Sequence, residues 1–590
     1  MNNLEIDQKY YYQKNDLGAF FTPEKTIFKL WAPTATKVEL VEYDNPNQSQ
    51  LDGQIKPMDV KNGVWFFEYL GNHSGMIYTF RLYFPNGIHK ETYDPYAFGA
   101  IANGNRSVVI DFRQTPKVPL LSNPVDSPTK AVISEMHVRD ITVNHPDVPT
   151  ELKGSYLGAT YIIPYLKKLG INYVQFQPLA DFATVDELQK NTWYNWGYDP
   201  QNYNLPEGSY STNPQNPYSR INELKEMITQ FHQNGIGIIM DVVYNHVYLT
   251  DQNAFSATVP NYYYRKNADG TLSNGSGINN DTASENLMFR KYMTDSLSFW
   301  AREYKIDGFR FDLLGIHDVE TMNQISDHLH QINKHIILYG EGWELNTALD
   351  KNLLATQKNA AKMPTFGFFN DEFRNSIKGD GDSNIGGFVN GIEEKENFVV
   401  NAILGKAENG SYVAPSQLIN YVEAHDNLNL NDKLWLSSPK DDLVTHSRRV
   451  LLATSLVFLS RGVPFIEIGQ EFMRSKLGNF NSYNAGDFVN AVNWGLKEKN
   501  SDLVDFISKI INFRLSTSLI SNNYDEIKES TDVIKSSNGL IVFELDQKYL
   551  IVISNGPDYK IPEKYFKYNS IRLASADDGV RIQIFQKDII

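Results

Sequence analysis

A chain of 590 residues exceeds what one hydrophobic core supports, so several domains are expected. The formal net charge of -15 sets the chain against phosphate backbones and argues against a nucleic-acid partner. With no cysteine there are no disulfides, thiolate metal sites or cysteine nucleophiles. No apolar run approaches the ~20 residues of a membrane span, and residues 1–12 lack an apolar signal-peptide core. A cytoplasmic, membrane-free protein is therefore expected, although a secreted form with its signal removed would read the same. Aromatics reach 13%, with 34 Tyr and 33 Phe. Such rings stack on sugars and equally fill cores.

In chain order, residues 20–115 alternate short apolar runs with turn signals, as in Thr26-Ile27-Phe28-Lys29-Leu30-Trp31 and Val64-Trp65-Phe66-Phe67. A period of two broken by Pro, Gly, Asn and Asp predicts an all-β sandwich. From residue 131 the pattern changes to buried strands alternating with helices. Strands are expected at 131–138, 172–176, 236–243, within 307–315 where Arg310 and Asp312 end the strand, and at 336–339, 364–369, 418–422 and 464–468. Helices are expected at 161–169, ended by Gly170, at 219–234 with Ser219 as its cap and Gly235 as its stop, and at 287–304. Eight such alternations predict a parallel (β/α)8 barrel. The connections 179–218 and 247–281 are too long for simple turns, and loops after barrel strands shape the catalytic face. From residue 521 the chain returns to short strands. The expected division is a multidomain protein: an N-terminal β-sandwich over 1–118, a TIM barrel over 119–520 and a C-terminal β-sandwich over 521–590.

Charge collects where these strands stop. In Gly308-Phe309-Arg310-Phe311-Asp312 residues two apart face one way, so Arg310 and Asp312 share a face and Phe309 and Phe311 the other. A guanidinium this close keeps a carboxylate ionised, as attack on a sugar carbon requires. Taken alone, the stretch serves equally as a structural ion pair. The ends of the third, fifth and seventh strands add Asp241 with Asn245 and His246, Glu341 with Trp343, and Glu423 with His425 and Asp426. Like charges brought together cost stability and are kept mainly for chemistry.

The four segments Asp241-Val242-Val243-Tyr244-Asn245-His246, Gly308-Phe309-Arg310-Phe311-Asp312, Tyr339-Gly340-Glu341-Gly342-Trp343 and Val422-Glu423-Ala424-His425-Asp426-Asn427 resemble the four conserved regions of the α-amylase superfamily, glycoside hydrolase family 13. That resemblance implies Asp312 as nucleophile, Glu341 as general acid/base and Asp426 as the carboxylate holding the distorted sugar. It also implies Asp241, His246, Arg310 and His425 as walls of the first glucose subsite. Retention needs two carboxyls about 5–5.5 Å apart, one ionised and one protonated. With no cation beside it in sequence and Trp343 as neighbour, Glu341 is expected to have a raised pKa. Asn245 belongs to the motif that supplies a calcium ligand in many amylases. A structural calcium is thus implied as an option, and no cofactor is required for the chemistry.

Tyr194-Asn195-Trp196-Gly197-Tyr198-Asp199-Pro200, in the loop after the second strand, is similar to the signature of type I pullulanases. By that likeness Tyr198 stacks under the glucose being cleaved and Trp196 walls the subsite. The same likeness implies sugar contacts from Asn481 and Tyr483 in the eighth loop. The phrase Phe28-Lys29-Leu30-Trp31-Ala32-Pro33 resembles the starch-binding module that precedes many debranching enzymes, although packing alone would also retain Trp31. The implied activity is hydrolysis of α-1,6 branches in pullulan, glycogen, amylopectin and limit dextrins. The partners are α-glucans. An isoamylase-type or α-1,4-acting neopullulanase activity on the same barrel is the alternative, and a non-catalytic glucan-binding relative the distant one. A zinc hydrolase is disfavoured, because none of the 12 His shows paired ligand spacing.

Overall fold

The computed structural model describes residues 2–85, 87–565, 571–572 and 580–587. Eight strands close a parallel barrel: β1 (Ile133–Met136), β2 (Tyr173–Phe176), β3 (Gly237–Val242), β4 (Gly308–Phe311), β5 (Ile337–Gly340), β6 (Phe366–Phe369), β7 (Leu418–Asn420) and β8 (Val463–Glu467). Each strand pairs with the next in sequence, and β8 returns to β1 with Glu467 opposite Glu135. Alternation along each strand sorts the side chains. Ile133, Ile239, Ile337 and Tyr339 fill the interior of the barrel, while Phe309, Phe311 and Leu338 pack outward against the helices. One inward step above that interior plug lie Glu135, Gln175, Asp241 and Arg310. The barrel thus carries an apolar floor beneath a polar, buried layer.

The helix expected at 219–234 runs Pro217–Gln233, and Asn216, not Ser219, caps it by accepting the Tyr218 N–H. Pro217 at the first helical position is the reason, since its fixed φ and missing N–H start a helix two residues earlier. Gly170 ends the Ile163–Leu169 helix at φ 99°, a left-handed turn that glycine adopts without strain.

Ahead of the barrel two sheets face each other. One is formed by Gly18–Phe21, Lys25–Trp31, Val64–Leu70 and Asp59–Lys61. The other is formed by Gln54–Pro57, Lys37–Tyr43, Ile77–Tyr83, His89–Thr92 and Ser107–Val108. Phe28, Leu30, Leu40, Trp65 and Phe80 are enclosed between them. Trp31 turns away from that core. Its ring lies edge-on to Tyr262 and Tyr263 of the barrel's third loop, and its Nε1–H reaches the Tyr10 carbonyl at 2.8 Å. The opening helix, Asn3–Tyr10, docks on the same loop through Asp7 and Tyr262.

At the other end, Thr531–Ser537, Leu540–Leu545, Tyr549–Asn555, Val580–Gln586 and Ile571–Arg572 make one antiparallel sheet. Ile541, Phe543, Ile551 and Ile582 press onto the barrel's helical shell, and Leu540, Val542 and Val552 cover a small cluster with Tyr565. A second sheet, which a full sandwich requires, is not among the described residues.

The long loop after β2 is pinned, not free. It folds into an antiparallel pair, Ala180–Phe182 with Pro200–Pro206. Arg220, from the Pro217–Gln233 helix, is buried beneath it and donates to Asp181 Oδ1 at 3.0 Å and Glu187 Oε2 at 2.5 Å. Burial and the neighbouring acids push Asp181 well above the carboxylate range and Glu207 to about 8. Groups titrating higher in the folded state stabilise it most at low pH, and that contribution falls as pH rises toward about 8. Replacing Arg220 by Met removes the cation in contact with Asp181 and Glu187. Urea unfolding should show a loss of about 3–5 kcal/mol near pH 8 and a clearly smaller loss near pH 5, where the acids take up protons. Equal losses at both pH values would contradict this account.

Candidate active site

Arg310 is wholly buried and bridges three carboxylates. Its Nη1 donates to Asp241 Oδ1 and Asp312 Oδ1, each at 2.9 Å, and Nη2 forms an ion pair with Glu341 Oε1 at 2.9 Å. The register explains the meeting, because Asp241 on β3 lies beside Arg310 on β4, and Glu341 follows directly after β5. The face-sharing of Arg310 and Asp312 read from the sequence is therefore present, with Phe309 and Phe311 on the helical side. Asp312 is held from its other oxygen by Asn245 Nδ2 at 2.8 Å. Just beyond it Leu313 adopts a left-handed conformation, φ 40°, and its N–H donates to Glu341 Oε2 at 3.0 Å. A bulky residue there costs of order 1–3 kcal/mol and persists only where surroundings impose it.

Two sequence-based expectations need correction. Arg310 touches Glu341 as well as Asp312, so the acids are not separated by one having a cation and the other an apolar neighbour. Glu341 is nevertheless raised to about 7. Burial is the main cause, and Asp312 and Asp426 add to it against the pull of Arg310. Trp343 is only half-buried and lines the cleft. Asn245 is no free calcium ligand. Its Nδ2 serves Asp312, and its Oδ1 faces His246 Nδ1 at 2.6 Å.

Asp426 differs from the other two acids. Its side chain is 54% exposed, with His425 Nε2 at 3.5 Å. His425 is buried, which disfavours its charge, yet Asp426 and Glu135 outweigh burial and raise its pKa to about 9. Glu135 on β1 takes both the Nδ1 and the backbone N–H of His425, at 2.7 and 2.8 Å. Gln175 on β2 ties Glu135, Asp241 and Tyr339 together. Neither Glu135 nor Gln175 was singled out from the sequence. The available signal was a charged or amide side chain inside an apolar strand, Glu135 next to Ser134 and Gln175 by itself, in step with the inward-facing Ile133 and Tyr173.

The 194–200 loop folds over this layer. Tyr198 stacks on His425 at 4.8 Å between ring centres, and its hydroxyl donates to Asp241 Oδ2 at 2.7 Å. Trp196, expected to face sugar, is only 4% exposed. Its ring edge backs His425 at 4.9 Å, so it props the wall and does not form the surface. The reason is tertiary: the loop after β8 covers it, with the Tyr483 carbonyl accepting the Trp196 N–H at 3.0 Å and Lys476 over the ring. His246 is buried, its pKa lowered by burial, with Nε2 on the Tyr198 carbonyl. Tyr483 and Asn481 are both exposed on the loop after β8. Among the described contacts Asn481 reaches none of the three acids.

These groups open onto a cleft of about 420 Å³, walled by Arg310, Glu341, Trp343, His425 and Asp426 together with Arg374 and Tyr421. Arg374 and Tyr421, held to each other at 2.9 Å, belong to β6 and β7 segments for which no role was read. Asp312 and Glu341 on one buried cation that Asp241 also contacts, beneath Asp426 at the mouth of a sugar-sized cleft, make this a glycoside hydrolase of the α-amylase class.

Residues 126–269 match the alpha amylase catalytic domain, and residues 16–97 match carbohydrate-binding module 48, the isoamylase N-terminal domain. The pullulanase of Bacillus subtilis (strain 168) is 39% identical over 528 residues, covering 86% of this chain and 72% of that protein. Pullulanase 1, chloroplastic, of Arabidopsis thaliana is 30% identical, covering 84% and 62%. The structure of a Paenibacillus barengoltzii pullulanase in complex with maltohexaose and alpha-cyclodextrin superposes with a TM-score of 0.92 at 36% identity, over 99% of this chain and 97% of that one. The chain belongs to the type I pullulanases of the α-amylase superfamily.

Of the three carboxylates around Arg310, Glu341 is the one that lines the cleft, so its raised carboxyl is the one placed to donate a proton. Its pKa of about 7 sets the alkaline limb: kcat/KM should fall as pH rises through about 7. Glu341→Gln should lose about 10²–10⁴-fold in rate on an unactivated glucan, and the limb should vanish with it. A variant that kept the limb would assign it to another group.

Proposed function

We propose that this chain hydrolyses α-1,6-glucosidic branch linkages in pullulan, glycogen, amylopectin and limit dextrins by a retaining double displacement. The observation that carries the reading is the bridging of Asp312 and Glu341 by one buried guanidinium. In the first step Glu341 gives its proton to the glycosidic oxygen as that bond breaks, and Asp312 attacks the anomeric carbon to form a glycosyl ester. In the second, Glu341 takes a proton from water, whose oxygen attacks the same carbon and releases Asp312. Opposite facial attack in both steps returns the original configuration.

Arg310 keeps the two acids in one plane of reach, and Asn245 orients Asp312. Asp426, exposed to the cleft, accepts from hydroxyls of the sugar distorted in the first subsite. His425 stays cationic through neutral pH and donates there, while Tyr198 offers its ring as the floor. Trp343 contributes a wall on the far side, with Tyr483 and Asn481 meeting the chain beyond. Selection of an α-1,6 bond falls to the 194–200 loop.

The reaction needs no cofactor and routes no step through a metal. Asp181, Glu187 and Glu207 have oxygens within 4.8 Å of one another, a grouping able to hold an ion, but Arg220 already sits against two of them as their cation. We assign 1–118 to a sandwich module, 119–520 to the catalytic barrel and 521–590 to a C-terminal β domain. Among the described residues no helix is long and apolar enough to cross a membrane. A cytoplasmic site of action belongs to this proposal.

Pullulan digestion decides the linkage. Maltotriose should be the main product, whereas panose would signal α-1,4 cleavage. Asp312→Asn should abolish release of reducing sugar while leaving dextrin affinity within about threefold, because the nucleophile acts after binding. Loss of binding together with activity would contradict the division between attack and recognition.

A further inference from the structure

Apart from the catalytic cleft, a larger groove of about 800 Å³ runs where the N-terminal sandwich meets the loops after β2 and β3. No residue lines both cavities. We propose that this groove is a second glucan site that holds a linear run of α-1,4-linked glucose. The choice of ligand rests on the reading of the chain as an α-glucan hydrolase.

Two aromatic side chains stand open in it. Trp193 is 51% exposed and Tyr248 38% exposed, one on each barrel loop. Neither belongs to any buried apolar cluster of the described residues. Leaving a large apolar face in water forgoes its burial energy and is informative when two such faces line one concavity. Flat aromatic faces stack on the C–H faces of pyranose rings.

The charged groups around them are engaged inside the protein. Glu91 accepts from Arg81 and Thr79. Arg106 donates to the carbonyls of Pro46 and Gln48 and lies 3.7 Å over the Tyr43 ring. Asp186 accepts from Asn103 and from the Leu188 N–H. What remains toward the groove is neutral: the amides of Asn105 and Gln252 make no hydrogen bond among the described contacts. A surface of open rings and idle amides without a free charge suits a neutral polyhydroxylated chain. It does not suit a phosphate, a metal ion or a basic peptide.

Position supports the same occupant. Trp193 immediately precedes the 194–200 loop that closes over His425, so a glucan held on Trp193 lies on the loop that handles the scissile bond. The sandwich module's own Trp31 is buried in the junction with the barrel and leaves no open indole elsewhere near this interface. Tethering a branched polymer at the groove raises the concentration of its branch points at the cleft.

Isothermal titration with maltoheptaose tests this, since a linear α-1,4 chain presents no branch for cleavage. The native protein should bind two maltoheptaose molecules, and the Trp193→Ala/Tyr248→Ala double variant one. The KM for amylopectin should rise about threefold to tenfold, the factor expected when aromatic stacking is lost. One site in the native protein, or two in the variant, overturns the proposal. Should Trp193→Ala fail to fold, Tyr248→Ala alone carries the comparison, and unchanged second-site affinity there overturns it equally. Failure of the native protein to release maltotriose from pullulan would count against the hydrolase reading, while the stoichiometry would still decide the groove.

Discussion

Arg310 has two terminal nitrogens and three carboxylates to satisfy, all out of water. One positive charge among three acids leaves an excess that low dielectric makes expensive, and the least costly relief is a proton. The raised values at Glu341 and Asp241, each about 7, are the outcome. The same stoichiometry that makes the cluster costly makes it useful, because a shared proton in a water-poor cleft is a general acid in waiting. The rest of the barrel can be read as the frame that keeps this guanidinium buried and aimed.

That frame works in layers. Inward-facing apolar residues fill the barrel floor, and the next inward positions hold Glu135, Gln175, Asp241 and Arg310 in one hydrogen-bonded sheet of polar atoms. Above them His425 is gripped by Glu135 from within and covered by Tyr198 from without. Charge is balanced across the site rather than pair by pair: Arg310 answers the nucleophile side, and His425, raised to about 9, answers Asp426 and Glu135. Removing either cation would strand buried anions, so the two halves of the site depend on each other.

A comparable device recurs outside the cleft. Arg220 sits under the loop after β2 with Asp181 and Glu187. That loop carries Trp193, the 194–200 segment and part of the wall toward the sandwich. A buried cation thus fixes the catalytic layer, and another fixes the loop that covers it. Rigid support of this kind is what a constellation needs if its members are to stay within a fraction of an ångström of productive geometry.

Much of this was legible in the chain itself. Period-two alternation marked the sandwich strands, alternation of buried strands with helices marked the barrel, and acids clustered at strand ends marked the cleft, since those signals are local and repeat. The heptad at 194–200 marked the loop over it. Contacts between distant segments were not legible. That Arg310 reaches Glu341 depends on β4 and β5 being neighbours in register. That Asn245 holds Asp312 instead of an ion depends on β3 and β4 ending side by side. Trp196 reads as a sugar platform until the loop after β8 folds across it. Sequence by itself determined which residues can do chemistry, because residue type and strand parity are local properties. Only the tertiary structure decided which of them share a proton, a cation or a surface, because those depend on distance and on the exclusion of water.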